Sequence, residues 1–293
     1  MSLEYEKYRS RPGHLLRRVH QASSLLFVQE VADLDMTQPR FEALTAIARY
    51  PGVDQISLAR GLGIDRSTTT LILDGLAKCG LIQRTVHADD RRKRVLEVTA
   101  AGQTAVAEAR KHADTAQARL LAPLSSAETD VMVEALLTVA TAIPSSAPDL
   151  AGMPTNGSTA RVPRHVAFLV RRCRQVSHAI LGDALRPFEI TPQQYGILYV
   201  LAIAQADEAE VSRLVAVERS AVDKVIRRLK ARSYLERCPQ SETLRLTPEG
   251  ASAFQTMRGP HQQADRAVLA CLDADLQGQF MSGLLKMVAH HQA

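Results

Sequence analysis

LARGLGIDRSTTTLILDGLAKCGLIQR, residues 58–84, decides how the rest of this chain is read. It divides into two short helical stretches, about 56–62 and 66–79, and the second opens on a run of serine and threonine. LIQRTV (81–86) and RVLEV (94–98) follow, read as two short strands of a hairpin joined by HADDRRK. Gly61 and Gly63 lie in the turn between the helices and not behind a strand, so they are not a phosphate-cradling loop.

Outward from this segment, a long helix is expected over about 12–32. Thr37 is placed to cap the next helix, with Pro39 in its first turn, where a missing N–H is tolerated. After the hairpin come helices at about 100–121 and 126–142, the last begun by Ser125 and Glu128 at capping-box spacing.

The series then returns. VSRLVAVERSAVDKVIRRLKARSYLER (211–237) answers residues 58–84, and TPEG (247–250) answers TAAG (99–102). VRRCRQVS (170–177) answers LRRVHQAS (16–23), and TPQQYGIL (191–198) answers TQPRFEAL (37–44), both at an offset of 154. Order and spacing are kept, which makes this a duplicated unit. The second copy predicts helices at about 163–185, 209–216, 219–232, 248–271 and 274–290, with YLERC and TLRL as strands. Between the copies, residues 144–162 are rich in Pro, Ser, Gly and Ala and lack apolar periodicity, as a linker does. The expectation is therefore a mainly α chain of two winged helix-turn-helix domains with small β-hairpin wings, residues 1–143 and 163–293, joined as an intramolecular pseudo-dimer.

Composition agrees with two globular units: 293 residues, 46% hydrophobic and 23% charged. Of the net charge of +5, the second half carries the excess, which suits a nucleic-acid partner without requiring one. No run approaches a membrane span, so the chain is expected to be soluble and cytoplasmic. Cys79, Cys173, Cys238 and Cys271 show neither a CxxC nor a disulfide framework. Neither catalytic nor metal-ligand spacing is found, so no enzyme, cofactor or metal is expected.

The recognition helix ending in Leu76, then Gly80, Leu81, Ile82 and Arg84, the loop Asp90-Arg91-Arg92, and Val98, Thr99 and Gly102 together resemble the multiple-antibiotic-resistance (MarR) family of transcription regulators. The resemblance covers most of residues 12–142 and, more weakly, 163–290. It implies sequence-specific binding of double-stranded DNA by a repressor that a small aromatic or phenolic acid releases. It also implies wing arginines that reach the minor groove, oriented by a wing Asp.

A recognition helix presents its first turns to base edges and phosphates. Arg66, Ser67, Thr68, Thr69 and Thr70 are the candidates in copy one, although Ser and Thr also suit an ordinary helix start. Asp90, Arg91, Arg92, Lys93 and Arg94 crowd the wing, where adjacent cations call for an anion such as a phosphate backbone, or else lie solvated. Copy two departs: its loop CPQSET has no arginine, but Arg219, Ser220, Lys224, Arg227 and Arg228 line its second helix, whose buried stripe is expected at Val222, Val225, Ile226 and Leu229. The partner expected is thus a pseudo-palindromic operator with unlike half-sites, read by a single chain.

For the effector, the repeated RRxxQxS supplies Arg17, Arg18, Gln21 and Arg171, Arg172, Gln175, with His14 nearby and Phe41 and Tyr195 as aromatic walls. Such arginines anchor a carboxylate bidentately, or equally form interdomain salt bridges or lie exposed. Cys173 between two arginines leaves open a redox-sensing regulator, since cations lower a thiol's pKa. The weak second wing leaves open an interaction protein that sequesters a partner instead of binding DNA.

Overall fold

A computed structural model describes residues 3–86, 94–142, 165–239 and 241–292; the expected linker and the wing loop 87–93 lie outside them. The first copy runs α2 (Pro12–Glu30), α3 (Gln38–Arg49), β1 (Val53–Asp54), α4 (Gln55–Leu62), α5 (Arg66–Lys78), β2 (Ile82–Val86), β3 (Arg94–Val98), α6 (Ala100–Leu121) and α7 (Ser126–Thr141). The second runs α8 (Val166–Leu185), α9 (Pro192–Ile203), α10 (Glu208–Val215), α11 (Arg219–Ala231), β4 (Leu235–Arg237), β5 (Leu244–Leu246), α12 (Pro248–Leu269) and α13 (Ala274–Gln292). A short leading helix, α1 (Leu3–Arg9), and the two-residue strand β1 were not foreseen. No helix among the described residues is long and apolar enough to cross a membrane.

Local chemistry fixes the helix starts. Thr37, Asp54, Asp65, Thr99 and Ser125 each accept from a backbone N–H of the helix that follows, and Ser125 with Glu128 closes a full capping box. Thr191 with Gln194 does the same for α9.

In copy one the sheet order is β1-β3-β2, all antiparallel, with Ile82 opposite Val98 and Val86 opposite Arg94. Among the described residues copy two has β4 and β5, with a bridge from Ala206 to Leu244 where β1 would be. The repeated Thr-x-x-Gly docks each hairpin on the helix after it. Thr99 donates its N–H to Leu81 O and its hydroxyl to Gly80 O, and Thr247 repeats this on Tyr234 O and Ser233 O. A Cβ on Gly102 would stand 2.0 Å from Leu81 O, and one on Gly250 2.1 Å from Tyr234 O, so glycine is required at both.

The apolar residues form two cores that do not follow the copies. One joins the first head to Val166, Phe168, Leu169, Val170 and Cys173 of α8 and to Phe280, Leu284 and Met287 of α13. The other fills the second head and takes in Tyr8 of α1. Each half therefore lends side chains to the other, a mixing that burial of apolar surface favours.

Candidate functional site

At the start of α5, Asp65 accepts from Thr68 N at 2.9 Å and from the hydroxyls of Ser67 and Thr68 at 2.5 and 2.6 Å. These bonds, the Ser67 hydroxyl first, hold its carboxyl well below the usual carboxylate range. Arg66, Ser67 and Thr68 are exposed. Thr69 departs from expectation: it is 2% exposed, on the inward face with Leu73 and Leu76, and its hydroxyl donates to Asp65 O. Thr70 is half-buried, donating to Arg66 O and accepting from Gln55 Nε2. Leu71 instead points outward, 74% exposed, and Ile56 at the start of α4 is 57% exposed. The sequence reading passed over both because apolar residues in a helical run read as core.

In α11, Val222, Val225, Ile226 and Leu229 form the buried stripe as expected, and Arg219, Ser220, Lys224, Arg227 and Arg228 are exposed. The second wing offers less. Arg237 pairs with Glu208 at 3.2 Å and with Glu242, and Arg245 pairs with Glu236 at 2.7 Å, so these cations already face carboxylates. In copy one, Asp90, Arg91, Arg92 and Lys93 lie outside the described residues, and Arg94 opens β3 opposite Val86.

The RRxxQxS arginines and glutamines do something the sequence did not show. Arg17 of α2 donates to Val215 O at 2.6 Å and Gln21 to Ala216 O at 2.9 Å, the last carbonyls of α10 in the other copy. Arg171 of α8 donates to Leu62 O and Gln175 to Gly63 O at 2.5 Å, the last carbonyls of α4. The four bonds are one pair exchanged between the copies. Each long helix thus holds the C-terminus of the other copy's first helix-turn-helix helix, where cations are favoured and carbonyls lack intrahelical donors. The chain at both ends is left-handed, Gly63 at φ 62° and Ala216 at φ 54°. Arg18 adds a bond to Arg213 O at 2.9 Å, while Arg172 is fully buried and donates to Gln175 Oε1 at 2.9 Å.

The surroundings of the two clamps differ. In copy one, Arg171 also pairs with Glu42 at 2.7 Å, both side chains 10% exposed, and Glu42 accepts from Gln38 Nε2, which Ser24 supports in turn. Phe41 packs on Phe27 with ring centroids 5.5 Å apart. In copy two the counterpart of Glu42 is Gly196, and a continuous set of rings, Tyr8, His14, Tyr195, Tyr199, Phe254 and His261, lies beside it. Arg11 lies 4.7 Å over the Tyr199 ring, bonds His261 Nε2 at 2.7 Å and stands 3.5 Å from Asp265. Burial, and then Arg17 and Arg18, push His14 down to about 3, so its imidazole is neutral. Burial raises Asp265 to about 6 against the pull of Arg11.

Cys173 corrects the redox alternative. It is fully buried with its Sγ on Leu136 O, and burial pushes the thiol up, outweighing the pull of Arg172. A thiol held protonated and out of solvent is inert.

The model of the MarR family matches residues 36–93. The transcriptional regulator HosA of Escherichia coli O157:H7 is 29% identical over 126 residues, 43% of this chain and 92% of HosA. The HTH-type transcriptional repressor NicR of Pseudomonas putida is 31% identical over 90 residues, 31% of this chain and 57% of NicR. Among solved structures, the PcaV transcriptional regulator of Streptomyces coelicolor, in complex with its natural ligand, is 31% identical with a TM-score of 0.39, over 42% of this chain and 86% of PcaV. The matched segment spans the second helix, the helix-turn-helix and the approach to the wing that the residues themselves had marked out. Residues 36–93 of this chain are a domain of the MarR family of transcriptional regulators.

Proposed function

We propose that this regulator is a repressor in which one polypeptide carries both DNA-reading heads, the first presenting hydroxyls and a wing arginine cluster, the second a cationic recognition helix. The observation that carries this reading is the reciprocal clamp from Arg17 and Gln21 to Val215 and Ala216, and from Arg171 and Gln175 to Leu62 and Gly63. Two heads held by each other's long helices are set at one spacing, which is what reading successive major grooves about 34 Å apart requires. Tethering also replaces a concentration-dependent pairing with an intramolecular one.

The sign of regulation follows the name of the relative NicR, a repressor. The effector in this reading is a small aromatic acid whose carboxylate meets a clamp arginine, because charge-assisted bonds from guanidinium are about twice as strong as neutral ones. Ligand binding then changes how a head is held, and DNA is released.

The test is light-scattering mass together with a gel shift on the DNA flanking the gene, at two salt concentrations and with and without benzoate derivatives. Specific binding by a species of one-chain mass, 32.0 kDa, with steep salt dependence is the expected result. Binding only by a larger oligomer, or none, overturns the proposal.

A further inference from the structure

Matched through the repeat, α5 and α11 bury the same positions: Thr69, Leu73 and Leu76 answer Val222, Ile226 and Leu229, each at an offset of 153. Packing of the inward faces therefore fixes which outward residues correspond. In the middle of the outward face, Leu71 of α5 falls on Lys224 of α11. Leu71 is 74% exposed, the most of any large apolar side chain among the described residues. Lys224 is exposed too and makes no ion pair among the described residues.

A lone exposed leucine is ordinary on a protein surface. Leu71 is not alone. Of the six large apolar side chains exposed among the described residues, Ile56, Leu71 and Val86 lie on α4, α5 and β2 of the first head, and none lies on the helix-turn-helix or hairpin of the second. The polar groups around Leu71 already have partners within the protein. The Ser67 and Thr68 hydroxyls are bonded to Asp65, Thr70 to Arg66 O and Gln55, and Asp74, one turn on, to Arg84 at 2.5 Å. What α5 leaves for a base edge in its second turn is an isobutyl group. α11 differs at each of these places: Glu218, the counterpart of Asp65, makes no capping bond, Ala221 replaces Thr68, and Arg227 stands where Asp74 does.

We infer that Leu71 and Lys224 set the base preference of their half-sites, Leu71 packing on the C5 methyl of a thymine and Lys224 donating to O6 and N7 of a guanine at the matched position. This rests on the reading above, in which α5 and α11 enter successive major grooves, and it names what they read there. The major groove displays both features, a methyl on thymine and a pair of acceptors on guanine, so a single helix position can tell the two bases apart. An isobutyl group gains by leaving water against a methyl and loses by covering unpaired acceptors; an ammonium does the reverse.

The test selects bound duplexes from a random pool with the full chain, its Leu71→Lys variant and its Lys224→Leu variant, each checked for an unchanged cooperative melt. Both positions are exposed, so the exchanges leave the packing intact. The wild-type chain is expected to enrich sites with unlike halves, a thymine in one where the other has guanine. Leu71→Lys is expected to turn that thymine to guanine and Lys224→Leu that guanine to thymine, so that either exchange makes the halves alike there. Replacing the selected thymine by deoxyuridine removes only the methyl and is expected to weaken wild-type binding about fourfold, and Leu71→Lys binding not at all. The deoxyuridine measurement on the wild-type chain holds whatever the variants do. Halves alike in the wild-type selection, unlike halves unmoved by both exchanges, or a wild type indifferent to the missing methyl overturns this inference and leaves the two-headed reading standing. Enrichment of single half-sites, or of no sequence at all, overturns both.

Discussion

The two helices proposed to read DNA, α5 and α11, present unlike chemistry to solvent. α5 opens with the exposed Arg66 and with hydroxyls already bonded to Asp65, followed by the exposed Leu71; α11 offers Arg219, Lys224, Arg227 and Arg228 to solvent. In the second wing the arginines are held by glutamates, Arg237 by Glu208 and Arg245 by Glu236. A symmetric dimer of separate chains cannot specialise in this way, because any change in one head appears in both.

The largest test of the difference lies in the clamps. Removing one partner of a buried ion pair strands the other charge, so Glu42→Ala is expected to cost about 3 kcal/mol or more of unfolding free energy in urea. Gly196→Ala, at the matching place, is expected to stay within about 1 kcal/mol. Equal costs would mean that the clamps are energetically alike. Next in size, Lys224→Ala with Arg227→Ala and Arg228→Ala should lower the slope of log affinity against log salt by up to about 3, since each phosphate that is no longer neutralised removes about 0.9. Ser67→Ala with Thr68→Ala should leave that slope unchanged, as gel shifts across salt would show; equal slopes in both variants would erase the contrast between the heads. The smallest effect compares the left-handed residues that end α4 and α10. Ala216→Gly relieves a strained φ and should stabilise by up to about 1 kcal/mol. Gly63→Ala should destabilise by at least as much, because its Cβ would stand 2.6 Å from Gln175 Oε1.

Much of this architecture was legible. Ser125 and Glu128 announced α7 and Thr37 with Pro39 announced α3, since caps are written in adjacent residues. What escaped is what distance in sequence conceals. α1 is only seven residues long, too short to be stable in isolation, and is ordered by packing Tyr8 into the other copy's core. Periodicity placed Thr69 in a hydroxyl run without saying which way it faced. The RRxxQxS motif was seen, but its partners are carbonyls, and a carbonyl carries no residue identity to read. Cys173 was judged by its charged neighbours in sequence, whereas its neighbours in space are apolar and decide its chemistry.

The first core closes only when Val166, Leu169 and Val170 of α8 and Phe280 and Leu284 of α13 arrive. During synthesis, then, the leading half leaves the ribosome with its interior unfinished and is completed only once α13 has followed. A product that stops before α13 lacks part of the first core and is a substrate for proteolysis. Faulty expression of this gene should therefore act as simple loss of copies, without dominant interference.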